Sequence, residues 1–191
     1  MAKNNEELIV EMIVEIPKGS SNKYEYDEVS KSISLDRVLY GANFYPGEYG
    51  FIPETLDWDG DALDVISLIT YPTFPGVKVR VRVLGTIKMI DAGEIDTKLF
   101  GVLADDPRFK DFNELGDVPQ HLKDEVENFF LQYKQLQKKS VVINGWGDKK
   151  HAIQEIAECK ERYQTYKDRL QVPGGKEAIL KEWEQKGLGK A

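Results

Sequence analysis

Val77-Lys78-Val79-Arg80-Val81-Arg82-Val83 puts an apolar residue at every second position and a cation between each pair. Side chains alternate faces along a strand, so this period of two sets every valine on one side. The segment reads as a half-buried strand of an antiparallel sheet or barrel. Working outward, Leu8 to Ile16 is rich in β-branched residues, while Lys23-Tyr24-Glu25-Tyr26 and Lys31-Ser32-Ile33-Ser34-Leu35 alternate. Val65 to Ile69 is a continuous apolar run of the kind found in a buried strand. From Asp117 the period changes. Asp117-Val118-Pro119-Gln120 has the form of a capped helix start, and Leu122, Val126, Phe129, Phe130, Tyr133 and Leu136 follow at helical spacing. Val141-Val142-Ile143 predicts one more strand, Asn144-Gly145-Trp146-Gly147 a turn, and Asp148 the cap of a helix carrying Ile153, Ile156, Ala157 and Tyr163. Pro173-Gly174-Gly175 then breaks the chain before a short helix with Ile179, Leu180 and Trp183, an apolar stripe suited to packing on the domain or on a neighbouring subunit. Strands followed by helices give an α+β class.

A chain of 191 residues with 41% apolar content suits one globular domain, residues 1–191, with a real core. A net charge of −7 argues against nucleic acid or an anionic membrane as the main partner, since both favour a basic face. An anionic substrate would need metal ions or a local cluster of Lys and Arg. Cys159 is the sole cysteine, the first residues lack the apolar core of a signal peptide, and no apolar run nears the roughly 20 residues of a membrane span. These features fit a reducing cytoplasm.

Chemistry concentrates in Asp57-Trp58-Asp59-Gly60-Asp61-Ala62-Leu63-Asp64-Val65, where four carboxylates run straight into the apolar strand. Carboxylates this dense raise one another's pKa unless a cation neutralises them, and hard oxygen ligands favour Mg²⁺, Mn²⁺ or Ca²⁺. A solvated acidic turn is the plainer reading, but here the acids stand where backbone enters the core. A second acidic group, Asp91, Glu94 and Asp96, follows the valine strand in the loop Met89 to Lys98, with Gly93 at its bend. Glu15 lies inside an apolar strand and Glu25 between two tyrosines, positions that are costly for a carboxylate facing inward without a partner. Beside the acids run Lys23, Arg37, Tyr45, Tyr49, Lys98, Tyr133 and Lys134. Acids that hold metals beside donors that hold phosphate oxygens describe a phosphoryl-transfer site.

The blocks Glu15-Ile16-Pro17, Lys23-Tyr24-Glu25, Asp36-Arg37, Phe44-Tyr45-Pro46, Tyr49-Gly50, Asp59-Gly60-Asp61-Ala62-Leu63-Asp64-Val65, Asp91 with Asp96 and Lys98, and Tyr133-Lys134 occur in one order. In that order and approximate spacing the chain strongly resembles the soluble family I inorganic pyrophosphatases of bacterial type, from about residue 8 to about residue 170. The resemblance implies a five-stranded OB-like β-barrel flanked by α-helices. It implies an enzyme that binds several Mg²⁺ ions, with Mn²⁺ a substitute, and splits pyrophosphate into two orthophosphates by direct attack of a metal-activated water. Residue by residue, it implies that Asp59, Asp64 and Asp96 hold the first metal, with Asp64 bridging to a second, and that Asp61 orients and deprotonates the water. Asp91 and Asp96 would hold the substrate-borne metals, reached by Glu15 and Glu25 directly or through water. Lys23, Arg37, Tyr49, Lys98, Tyr133 and Lys134 would bind phosphate, with Tyr45 behind them. Bacterial members usually form hexamers built from trimers.

Two departures from the pattern stand out. Ala62 replaces a proline common after the second acid, and Ile16 to Asn22 is one residue short. The segment 171–191 lies beyond the compact bacterial form. An EF-hand fails, because its sixth and twelfth positions would fall on Ala62 and Leu68 rather than Gly and Glu. An OB-fold binder of single strands could stack bases on Tyr24, Tyr26, Tyr45 and Tyr49, but interleaved acids oppose it. A hydrolase of nucleotides or phosphomonoesters would share the chemistry and differ only in substrate. His121, His151 and Cys159 stand outside the acidic clusters and read as surface or packing residues, as do Trp58 and Trp146.

Overall fold

The valine strand is the axis of the molecule, and it is longer than its alternation announces. In the computed structural model, which describes residues 7–27 and 30–190, strand β6 runs Lys78–Asp91. Before it come β1 (Ile9–Ile16), β2 (Asn22–Asp27), β3 (Ser32–Val38), β4 (Glu48–Phe51) and β5 (Asp64–Leu68). After it come β7 (Glu94–Ile95), β8 (Lys98–Leu103), helix α1 (Gln120–Gln132), β9 (Val141–Gly147), α2 (Lys149–Leu170) and α3 (Gly175–Lys186).

Five strands close into a ring. β1 pairs with β4, β4 with β5, β5 with β8, β8 with β6, and β6 returns to β1. Only the β5–β8 pair among these is parallel. The α+β fold with a five-stranded OB-like barrel is therefore present. β6 can serve both the ring and its surroundings because its register shifts twice, between Val83 and Gly85 and between Ile87 and Met89. Such bulges bend a strand and strengthen its twist. Beyond them its far end leaves β8 and pairs with β9 and β7. β2 and β3 form a separate antiparallel ribbon.

The period of two sorts the core. Val81 and Val83 share a cluster with Met12, Val14, Val65 and Leu99, and α2 adds Ala152, Ile156 and Cys159 to it. The neighbours on the other face, Ile66, Leu84, Phe100 and Val102, cluster with Phe129 and Phe130 of α1, with Tyr133 just after it, and with Tyr45 and Tyr49. A third cluster joins Leu56 to Ile179 and Trp183 of α3, with Leu180 packed against it. The apolar stripe of the last helix thus packs onto this chain's own acidic segment.

Four local expectations need correction. Asp117 does not cap α1; its carboxylate accepts from the backbone N–H of Asn113 and Glu114, and Pro119 stands at the helix start without a side-chain bond. Helix α1 ends at Gln132, so Leu136 falls in a following single turn and is exposed. Asn144 to Gly147 is no turn but the end of β9, paired with Thr86 and Ile87. Met89 to Asp91 is the end of β6 rather than loop, with the bend confined to Ala92 and Gly93. Asp148 does cap α2, accepting from Lys150 and His151 N–H.

Candidate active site

The site is built where β4, β5, β8 and the far end of β6 meet. Asp64 opens β5 and Lys98 opens β8, and their strands are neighbours in parallel register, so the two side chains meet. Lys98 Nζ lies 2.7 Å from Asp64 Oδ2 and 2.7 Å from Asp96 Oδ1. Tyr49 on β4, directly beside β5, donates its hydroxyl to the same Asp64 oxygen at 2.5 Å. Lys98 is 2% exposed, a depth at which a lysine persists only because two carboxylates face it. Burial opposes its charge, but Asp64 and Asp96 outweigh that and hold its pKa well above the usual range.

A second group of the same kind lies alongside. Lys134 is ion-paired with Asp91 Oδ2, and the Tyr133 hydroxyl reaches that oxygen at 3.5 Å. Both residues follow α1 directly, which packs its Phe129 and Phe130 under the barrel and so delivers them to the end of β6. Asp91 Oδ1 is buried and has no hydrogen-bond partner. Asp59, Asp91, Asp96 and Lys134 line one cleft of about 220 Å³, together with Ala92, Glu94 and Lys139.

Asp59 comes from the turn 57–61, held by Gly60 N–H to Asp57 O at 3.0 Å and Asp61 N–H to Asp59 Oδ1 at 2.9 Å. Burial pushes its carboxyl up to about 7, and Asp61, Asp96 and Asp64 add to the rise. Glu15, on β1, is pushed to about 8, by burial first and then by Asp64. Its oxygen accepts from Tyr26 N–H at 2.7 Å. These carboxylates therefore face one another with less cationic charge than they need. That shortage, together with the orphaned Asp91 oxygen and an all-oxygen donor set, fits a hard divalent metal.

Lys23, Glu25, Asp36 and Arg37 form one network on the β2–β3 ribbon. Lys23 pairs with Glu25 and lies 3.3 Å from Asp36, which also pairs with Arg37. Glu25 is more than half exposed and stands apart from the cleft lining. Tyr45 is buried against Tyr49 and Phe129, and burial raises its hydroxyl pKa despite the pull of Arg37 and Lys98. Asp61 is exposed, at the rim, and ion-paired with Lys176 of α3.

Asp57, the first acid of the cluster, turns away from the others. It is buried beneath α2, where Arg162 Nη2 lies 3.3 Å away and Trp58 N–H donates to it at 2.7 Å. With Glu155 and Cys159 it forms a compact donor group, but the Arg162 guanidinium already supplies the cation there. Burial lifts the Cys159 thiol pKa well above its usual range, as befits a packing residue. Lys139 and Lys176 were not among the expected site residues. Lys139 lines the cleft from just beyond the single turn that follows α1. Lys176 reaches Asp61 across 115 positions of sequence, a contact with no local signal.

Comparison with known proteins decides the lineage: the family model for inorganic pyrophosphatase matches residues 12–164. The chain belongs to the inorganic pyrophosphatase family. The inorganic pyrophosphatase of Thermus thermophilus is 50% identical over 158 residues, covering 81% of this chain and 90% of that protein. That of Geobacillus stearothermophilus is 47% identical over 162 residues, covering 85% and 98%. The crystal structure of the Thermus thermophilus pyrophosphatase superposes with a TM-score of 0.79 at 47% identity, over 86% of this chain and 94% of that one. As a pyrophosphatase this chain is an enzyme, a metal-dependent inorganic diphosphatase that hydrolyses pyrophosphate to phosphate. Among the described residues no helix is long and apolar enough to cross a membrane.

Proposed function

We propose that Asp59, Asp64, Asp91 and Asp96 hold Mg²⁺ in this cleft, with Glu15 from β1 and Glu25 from the β2–β3 ribbon contributing directly or through water. The observation that carries this reading is the meeting of Asp64 and Asp96 on the buried Lys98, beside a second, orphaned carboxylate oxygen on Asp91. Mg²⁺ would supply an acidified water and neutralisation of phosphate oxygens, and Mn²⁺ would substitute as a similarly hard ion. Asp61 is the general base. Its carboxylate stands exposed at the rim, one turn from Asp59, where it can accept a proton from the attacking water. Lys98, Lys134, Tyr49 and Tyr133 bind and orient the phosphates from the barrel side. Lys23 and Arg37 close on them from the ribbon, and Tyr45 supports Tyr49 from behind. On the leaving side, Lys and Arg donors offset the charge that builds on the departing phosphate.

Residues 1–191 act as one domain, a reading supported by the packing of α3 onto Leu56. Six copies assemble, as in the bacterial members that the chain resembles, and a reduced cytoplasm suits its single buried thiol. The test is phosphate release from pyrophosphate with Mg²⁺, with chelator, and beside ATP and a phosphomonoester. Asp61→Asn keeps the shape and most ligands but removes the base. Its turnover should fall on the order of a hundred-fold or more with Mg²⁺ and substrate binding largely retained. Near-normal turnover in that variant would refute the role given to Asp61.

A further inference from the structure

The residues after 164, where the family match ends, return to the cleft. α3 places Trp183 edge-on to Trp58 at 5.2 Å, and Lys176 pairs with Asp61. Gly60 lies so close to α3 that a Cβ there would stand 2.9 Å from Lys176 Cε and 3.1 Å from Leu180 Cδ2. After α3 the chain turns at Gly187, in the left-handed region, and its last residues pair with β7 through a bridge between Lys190 and Glu94. Gly189 O accepts from Ile95 N–H at 3.1 Å, and Lys190 Nζ lies 3.3 Å from Glu94 Oε1. Gly189 also rests on Trp58, leaving a Cβ only 3.1 Å from that side chain. One stretch of chain therefore touches both the turn that carries Asp59 and the turn that carries Asp96.

We propose that residues 175–190 are a clamp that sets the metal affinity of the cleft by fixing these two turns relative to each other. The inference rests on the reading of Asp59 and Asp96 as metal ligands. An ion held by carboxylates from two separate turns must order both, and any freedom they keep is lost on binding. The clamp removes that freedom beforehand. Its exposed ion pairs contribute little by themselves. The Gly189–Ile95 backbone bond and the Trp58–Trp183 packing carry the coupling, and Lys176 and Lys190 fix its register.

A chain ending at Gly187 tests this directly, since it keeps the barrel and α3 but loses the bonds to Ile95 and Glu94. Mg²⁺ binding is measured by titration calorimetry without substrate, beside hydrogen exchange at the Ile95 amide and the Mg²⁺ dependence of turnover. Mg²⁺ affinity should weaken roughly three- to ten-fold and Ile95 exchange should quicken, with turnover at saturating Mg²⁺ within about two-fold of the full chain. Trp183→Ala, which loosens the other arm, should weaken Mg²⁺ binding in the same direction. Asp59→Asn serves as the reference. If it weakens Mg²⁺ binding while both clamp variants bind as the full chain does, the clamp is overturned and the metal assignment survives. If none of the three alters Mg²⁺ binding, the metal assignment itself falls and the clamp with it.

Discussion

Lys98 shows how much of the site's stability hangs on one cation. It stands between two carboxylates at 2.7 Å each, with Tyr49 and Phe130 rings within 6 Å of its ammonium group, at 5.5 and 5.9 Å. Lys98→Met keeps most of the length of the side chain but leaves Asp64 and Asp96 facing each other without a positive charge. Breaking a buried pair in this way costs about 3–5 kcal/mol, which at about 2–4 °C per kcal/mol is roughly 10 °C in Tm. A divalent cation bound by the same acids replaces the lost charge. The variant should therefore melt well below the parent in chelator and close much of that gap in saturating Mg²⁺. An equal loss under both conditions would mean that Asp64 and Asp96 do not share a metal. At this scale the sequence singled out Asp59, Asp64, Asp91, Asp96, Lys98, Tyr133 and Lys134 as candidates from their types and order, and the fold brings Asp64 and Asp96 onto Lys98 and Lys134 onto Asp91. What it could not show was orientation. Asp57 looks equivalent to Asp59 in the chain, yet only the fold reveals that it turns to Arg162 under α2.

Among the elements, the turn 57–61 depends on a glycine for two separate reasons. Gly60 has φ +84, a conformation that costs a non-glycine residue about 1–3 kcal/mol, and it lies against Lys176 and Leu180. Gly60→Ala should destabilise the protein by about 1–3 kcal/mol in chemical denaturation and weaken Mg²⁺ binding, because the turn cannot keep both its shape and its seat on α3. Full Mg²⁺ affinity in that variant would show that Asp59 is placed by β5 alone. β2, β3 and the first half of β6 were readable from their period of two, β1 from its β-branched residues, β5 from its apolar run and the Asp148 cap from its residue type, whereas β4, β7 and β8 carried no such signal and were not foreseen. The elements that misled are those where tertiary pairing overrode local chemistry. Asn144-Gly145-Trp146-Gly147 has turn composition, but the far end of β6 needs a partner and recruits it as strand, with Trp146 edge-on to Phe100. Helix α1 stops before Leu136 although the apolar spacing continues, and that early stop brings Lys134 to Asp91. The contact of α3 with Asp61 had no local signature, since it depends on how the third cluster packs.

For the molecule as a whole, the like charges gathered in the cleft make global stability a reporter of metal binding. The barrel ring is closed through β1 and β6, so the strands that carry Glu15, Asp64, Asp91 and Lys98 belong to one cooperative unit. Whatever binds the folded cleft and not the unfolded chain raises the stability of all of it. At a hundred times its Kd, Mg²⁺ should add about 2.7 kcal/mol, or roughly 5–10 °C in Tm. Sodium chloride of equal ionic strength is the control, because a chain of net charge −7 gains some stability from screening alone. Ca²⁺ separates binding from catalysis. It accepts the same oxygen donors but is larger and holds them in a looser geometry than the near-octahedral arrangement that Mg²⁺ demands. Ca²⁺ should therefore raise Tm as Mg²⁺ does while failing to sustain phosphate release, and should inhibit when added to the Mg²⁺ enzyme. Calorimetric melts and a phosphate assay on one preparation check both halves. Undiminished turnover with Ca²⁺ would show that the cleft needs only positive charge from its metals, whereas binding without turnover would show that it needs their coordination geometry as well.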